Sequence, residues 1–164
     1  MQEYTCGVLT ISDKGSEGKR EDTSGAELKK ILSERGFKVV AYDIVPDREE
    51  SIRDKLIAWV DVRRVDLIVT TGGTGVDPKD LTPEATRTVI EREIPGISEA
   101  MRQASFAKTP HAVLSRGISG SRGRSLIINL PGSKKAAREN IETVLPALGH
   151  AIYKIQGGQG DCGG

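Results

Sequence analysis

Five short polar segments carry the residue types that could do chemistry: Ser12-Asp13, Pro46-Asp47, Thr71-Gly72-Gly73-Thr74-Gly75, Ser115-Arg116 and Pro131-Gly132-Ser133. Each follows an apolar, β-branched run. Gly72, Gly73 and Gly75 lack Cβ atoms and can take positive φ, so their backbone N–H groups can approach phosphate oxygens, with the hydroxyls of Thr71 and Thr74 as further donors. Asp47, Asp77 and Asp80 offer hard oxygen ligands of the kind Mg²⁺ takes when it also holds substrate phosphates. Taken singly, a loop aspartate caps or turns the chain, and the four-residue glycine stretch reads equally well as a tight strand-to-loop turn. Three aspartates gathered beside that turn shift the reading towards an anion and cation site.

The loop fails two common phosphate tests. No Lys-Ser/Thr follows it, and no third Gly stands at the dinucleotide spacing, which disfavours a Walker-type ATPase and a nicotinamide enzyme. Gly158, Gly160 and Gly163 do match G-x-G-x-x-G, but no strand precedes them and no helix can follow, so that match is false.

Positioning these segments falls to alternating strands and helices. Cys6 to Ile11, Phe37 to Val45, Asp66 to Thr71, Val113 to Arg116 and Ser125 to Leu130 read as strands. Helical spacing follows a capping box at Ser24 and Glu27 and runs to Gly36; it recurs from Glu49 to about Arg63, with Trp59 in the core. Three further helices are expected: one capped by Thr82 with Pro83 in its first turn, one from Gly96 to Phe106, and one after Ser133, kinked at Pro146. Ser12 to Gly18 and Gly117 to Gly123 read as loops. The alternation is that of βαβ units, hence an α/β fold, and in an open parallel sheet ligands bind beyond the carboxyl ends of the strands. The five polar segments therefore converge on one edge.

At 164 residues the chain is expected to form one domain, residues 1–156, followed by a Gly-rich tail, 157–164, without apolar periodicity and so disordered. A net charge of +1 excludes a polybasic nucleic-acid binder, and 4% aromatic residues leave few stacking platforms, so no nucleic-acid partner is expected. No apolar run approaches the ~20 residues of a membrane span, and no basic residue precedes the apolar stretch Gly7 to Ile11, so neither a membrane partner nor a signal peptide is expected. The expected location is the cytoplasm. Cys6 and Cys162 have no metal-ligand spacing and read as reduced thiols; His111 and His150 are assigned no chemistry.

Taken together, Ser12-Asp13, Asp22-Thr23-Ser24-Gly25, Val45-Pro46-Asp47, Thr71 to Gly75 continuing through Asp80-Leu81-Thr82-Pro83-Glu84-Ala85-Thr86, Leu114-Ser115-Arg116 and Ile128 to Ser133 resemble the molybdopterin adenylyltransferases of molybdenum-cofactor synthesis. This is the MogA/MoaB-like domain, also found in gephyrin and in plant molybdenum-insertion proteins. The resemblance covers Cys6 to Ile155. It implies a three-layer sandwich around a mostly parallel β-sheet with helices on both faces, a homotrimer, and transfer of AMP from ATP to the terminal phosphate of molybdopterin with Mg²⁺ and release of pyrophosphate. It makes Asp47 and Asp80 the essential, metal-holding carboxylates. Ser12, Asp13, Thr71, Gly72, Gly73, Thr74, Gly75, Asp77, Ser115, Arg116, Pro131, Gly132 and Ser133 become substrate- and nucleotide-binding positions, with Arg116 and Arg122 as candidate clamps, although Arg122 also reads as part of a solvated basic loop. A molybdenum-insertion protein is a candidate partner. Lys134 departs from the family, which often has Pro after Gly-Ser or Gly-Asn. A relative that binds pterin or nucleotide without turning it over, or a scaffold for cofactor delivery, shares the same motifs and is the competing reading.

Overall fold

A computed structural model of the chain describes residues 2–161. Six strands form one sheet in the order β2-β1-β3-β6-β5-β4. They are β1 (Thr5–Ile11), β2 (Lys38–Val45), β3 (Leu67–Thr71), β4 (Arg92–Glu93), β5 (Ser119–Arg122) and β6 (Ser125–Leu130). The first three and β6 run parallel, while β5 is antiparallel to β6 and β4 to β5.

Alternation along the strands sends side chains to two apolar layers. Cys6, Val8, Leu67, Val69, Leu126 and Ile128 pack against α2 (Thr23–Glu34), α5 (Pro95–Phe106) and α6 (Lys134–Ile155). Leu9, Ile11, Ile68 and Ile127 face α3 (Glu49–Ile57) and α4 (Thr82–Val89). Successive strand residues point to opposite faces, so one sheet serves both cores, and this is the expected three-layer α/β sandwich. Trp59 lies in the second core, 3% exposed, in a π-helical turn, Ala58–Val62, that continues α3. Its ring lies over Gly7, where a Cβ would meet Trp59 Cε3 at 2.9 Å. Cys6 is fully buried, and burial pushes its thiol up to about 12, which keeps it protonated and inert.

Several elements differ from the sequence reading. Val113 to Arg116 is not a strand: Pro110–Leu114 forms a 3₁₀ turn whose Thr109 side chain accepts from His111 N. The strand lies instead at Ser119–Arg122, inside the segment read as a loop, and takes its structure from pairing with β6. Ser12 to Gly18 contains a one-turn helix, α1 (Asp13–Ser16), capped by Ser12 through Gly15 N at 2.9 Å. The cap of α2 is Asp22, which accepts from Gly25 N, and not Ser24. The Thr82 hydroxyl does not cap α4 but donates to Gly72 O at 2.9 Å. In α6 Pro146 sits within a continuous 22-residue helix.

Gly157 to Asp161 fold back on the end of α6. Gly158 N donates to Tyr153 O, Gly160 N to the Tyr153 hydroxyl, and Lys154 Nζ to the carbonyls of Gly158 and Gly160. Cys162 and the terminal Gly-Gly lie outside the described residues. Among the described residues no helix is long and apolar enough to cross a membrane.

Candidate active site

Strand order reverses between β1 and β3, since the chain passes from β1 to β2 on one side and then to β3 on the other. The crevice expected at such a switch point opens at the carboxyl ends of these strands. Gly72 and Gly73 have φ of +101° and +67°, which lets the chain turn sharply off β3 and over the end of β1. A Cβ on Gly72 would lie 2.4 Å from Ile11 O. Gly75, expected to share this backbone freedom, does not have positive φ; it is small because a Cβ would meet Asp80 Oδ2 at 2.8 Å. Thr82 fastens the loop from below, its N–H to Gly73 O at 3.1 Å and its hydroxyl to Gly72 O.

Two clefts flank this loop. The larger, about 730 Å³, takes in Ser12, Asp13, Asp47, Thr71, Gly72, Asp77, Asp80, Gly132 and Ser133, with Lys14, Arg20, Lys79 and Lys134 as cations. The smaller, about 470 Å³, shares Asp80 and Gly132 and adds Gly73, Thr74, Gly75, Ser115 and Pro131, together with Arg102, Lys108 and His111. The positions singled out from the sequence thus gather on one edge, apart from Arg116, which braces the loop and lines neither cleft. Arg122 also lies elsewhere: it is on β5, bonded to Asp61 at 2.9 and 3.1 Å and to Val89 O at 3.0 Å, and so is neither a clamp nor a solvated loop residue.

The β3 and β6 ends are tied together beneath the clefts. Thr71 donates its hydroxyl to Pro131 O at 2.7 Å, Gly72 N donates to Leu130 O, and Gly132 packs so closely that a Cβ there would meet Gly72 Cα at 3.3 Å. Ser133 caps α6 through Ala136 N, which leaves the positive end of that helix dipole at the larger cleft beside Lys134. Sequence reasoning missed two supports on the same wall. The Asp22 carboxylate accepts from Gly25 N, the Thr10 hydroxyl and the Tyr42 hydroxyl, and Ser24 donates to Gly132 O at 2.6 Å. The stretch Asp22 to Gly25 was visible as a motif, but its partners are far away in sequence.

Asp47 is the most perturbed carboxyl group of the site. Its backbone N–H donates to Asp13 Oδ1 at 2.9 Å, while its own Oδ1 is buried with no hydrogen-bond partner. Burial first, then the charges of Asp13 and Asp80, push its pKa up to about 6, with the Leu81 N–H acting in the opposite direction. Among the described residues no group of three or more His, Cys, Asp or Glu forms a ready-made metal cage. A buried, unpartnered carboxylate oxygen facing like charges is nevertheless the donor that a divalent cation would satisfy, the remaining ligands coming from substrate oxygens and water.

A mostly parallel α/β sheet with a glycine loop, aspartates and a helix N-terminus along its carboxyl edge is the arrangement that suits phosphorylated ligands. Residues 7–150 match the family model of the "Probable molybdopterin binding domain", and the chain belongs to that family. It is 44% identical over 159 residues to a molybdopterin adenylyltransferase of Helicobacter pylori, covering 96% of this chain and 90% of that protein. It is 38% identical over 157 residues to molybdenum cofactor biosynthesis protein B of Bacillus cereus, covering 94% and 92%. The solved structure of the molybdopterin biosynthesis enzyme MoaB from Thermus thermophilus superposes with a TM-score of 0.89 at 50% identity, covering 94% of this chain and 97% of that one. Against the cofactor synthesis protein cinnamon of Drosophila melanogaster, 43% identical, the chain spans only 26% of the larger protein.

Proposed function

We propose that this chain is a molybdopterin adenylyltransferase, acting in molybdenum-cofactor synthesis. A terminal phosphate oxygen of molybdopterin attacks the α-phosphorus of ATP, the bond to the β-phosphate oxygen breaks, and pyrophosphate leaves. No protein nucleophile is needed, since phosphoryl-type transfer rests on positioning and charge neutralisation. The observation that carries this reading is the orphaned Asp47 Oδ1 on the wall of the larger cleft, beside the positive-φ glycines of a loop flanked by two clefts that share Asp80 and Gly132. Two clefts suit two phosphorylated substrates, and the shared loop is where their reacting groups meet.

In this reading Gly72 to Gly75 present backbone N–H groups to phosphate. Ser12, Asp13, Thr71, Asp77, Ser115 and Pro131 to Ser133 shape the walls that hold the substrates, and Lys14, Arg20 and Lys134 balance anionic charge. Asp47 and Asp80 would hold Mg²⁺, which when bound supplies neutralisation of phosphate charge. The reading extends to a homotrimer in the cytoplasm that hands its product to a molybdenum-insertion protein. Pyrophosphate release from ATP, measured with and without molybdopterin, tests it. Asp47→Ala and Asp80→Ala each lower that release by about 10²-fold or more while the protein stays folded. Near-normal turnover in both variants would refute the assignment of the carboxylates.

A further inference from the structure

Arg116 reads from the sequence as a clamp on an anion, but its guanidinium is turned to protein. Its Nε donates to Gly75 O at 2.6 Å and its Nη2 to Asp80 O at 2.9 Å. Nη1 donates to both oxygens of Glu84, at 2.7 and 3.0 Å, and the Arg116 backbone N–H reaches Thr74 O at 2.8 Å. One side chain therefore holds both ends of the segment from Gly75 to Asp80. That segment has little else to fix it, because residues 76–79 are all exposed, Val76 at 62%. Its internal bonds all involve Asp77: Asp80 N to Asp77 O at 2.9 Å, Lys79 N to Asp77 Oδ1 at 2.8 Å and Asp77 N to Asp80 Oδ2 at 3.2 Å. Glu84, in the first turn of α4 next to the buried Ala85, supplies the rigid anchor.

We infer that Arg116, backed by Glu84, is a positioning residue that splints the Gly75 to Asp80 segment to α4 and so sets where the Asp80 carboxylate stands in the shared part of the two clefts. This rests on the proposed role of Asp80. A planar fork is needed, since the three acceptor groups lie at the two ends of that segment and on α4, and the point charge of Lys cannot reach them together. The Arg116 bond to Asp80 O comes from the same short stretch that lines the smaller cleft through Leu114 and Ser115.

The test compares wild type with Arg116→Gln, Arg116→Lys and Glu84→Gln in two readouts. In the ligand-free protein, amide hydrogen exchange at Asp77 and Asp80 rises about tenfold or more in R116Q, while the amides of β3 and β6 keep their protection. In the pyrophosphate assay kcat falls about 10- to 100-fold in R116Q and R116K, with KM for ATP and for molybdopterin within about threefold of wild type, and E84Q moves the same way by less. If R116Q does not fold, R116K, which keeps the charge, decides both readouts. A raised KM with kcat unchanged would show that Arg116 touches a substrate and would overturn the proposal, as would unchanged exchange at Asp77 and Asp80. Absence of turnover in wild type would sink the proposed reaction instead, and the exchange experiment would still decide the splint.

Discussion

Two glycines of the same loop should fail in opposite ways when given a methyl group. In Gly72→Ala the new Cβ sits at φ +101° and 2.4 Å from the backbone oxygen of Ile11, which cannot rotate away. Holding a non-glycine residue in that conformation costs about 1–3 kcal/mol, and relieving the overlap in a packed sheet costs a further ~1–3 kcal/mol. The total, about 2–6 kcal/mol, is a large part of the ~5–15 kcal/mol that stabilises a domain, and at about 2–4 °C per kcal/mol it lowers Tm by roughly 5–20 °C. In Gly75→Ala the backbone is unstrained and the overlapping atom is Asp80 Oδ2, the end of a side chain that can swing aside. Stability should change by no more than about 1 kcal/mol, while a carboxylate displaced by about 1 Å loses about 10²-fold in rate. Scanning calorimetry and the pyrophosphate assay, run on both variants, separate the two effects. Equal destabilisation of both, or full activity in Gly75→Ala, would refute the placement of these atoms.

Asp47 gives a pH signature. Its raised folded pKa means that it binds its proton more tightly in the folded chain than in the unfolded one, so its stabilising contribution is full below the ordinary value of 3.8 and is lost as pH rises through about 6. Asp47→Asn should therefore raise the Tm of the ligand-free protein at pH 7.5 and leave it nearly unchanged at pH 4, and thermal scans at the two values check this. Adding Mg²⁺ should raise the Tm of wild type at pH 7.5 but not that of Asp47→Asn, a difference read in the same scans. Among the described residues, deleting Gly157 to Gly164 removes no strand and none of α6, so adenylyl transfer should stay within a factor of about two, as turnover of the truncated chain will show. Light scattering should report a trimer at working concentration, and a stable monomer would contradict the expected assembly.

The sequence was most legible where a segment's structure is local. Ser125 to Leu130 is bounded by Gly123 and by Pro131, and its six residues, five of them apolar or small and one the polar Asn129, form β6 residue for residue. Val113-Leu114 looks equally strand-like, yet Thr109 and Pro110 start a 3₁₀ turn that takes both residues in, and among the described residues no strand pairs with them. Ser119 to Arg122 shows the converse: nothing in Ser-Gly-Ser-Arg favours a strand, and Gly120 is needed because a Cβ would stand 2.6 Å from Arg92 O across the β4–β5 pair. At the site, the converging aspartates and glycines were readable because strand ends share one edge. The orphaned Asp47 Oδ1 and the turn of Arg116 away from the clefts depend on contacts between residues far apart in sequence, which no local pattern records.

The most direct measurement of the central claim is of the product. The purified chain is incubated with ATP, Mg²⁺ and molybdopterin, and the pterin fraction is analysed by mass spectrometry alongside pyrophosphate. Molybdopterin carrying one AMP through a phosphoanhydride, formed in equal amount to pyrophosphate and lost in Asp80→Ala, is the expected result. Binding of both ATP and molybdopterin with neither product formed would contradict it and leave a binding protein in place of an enzyme.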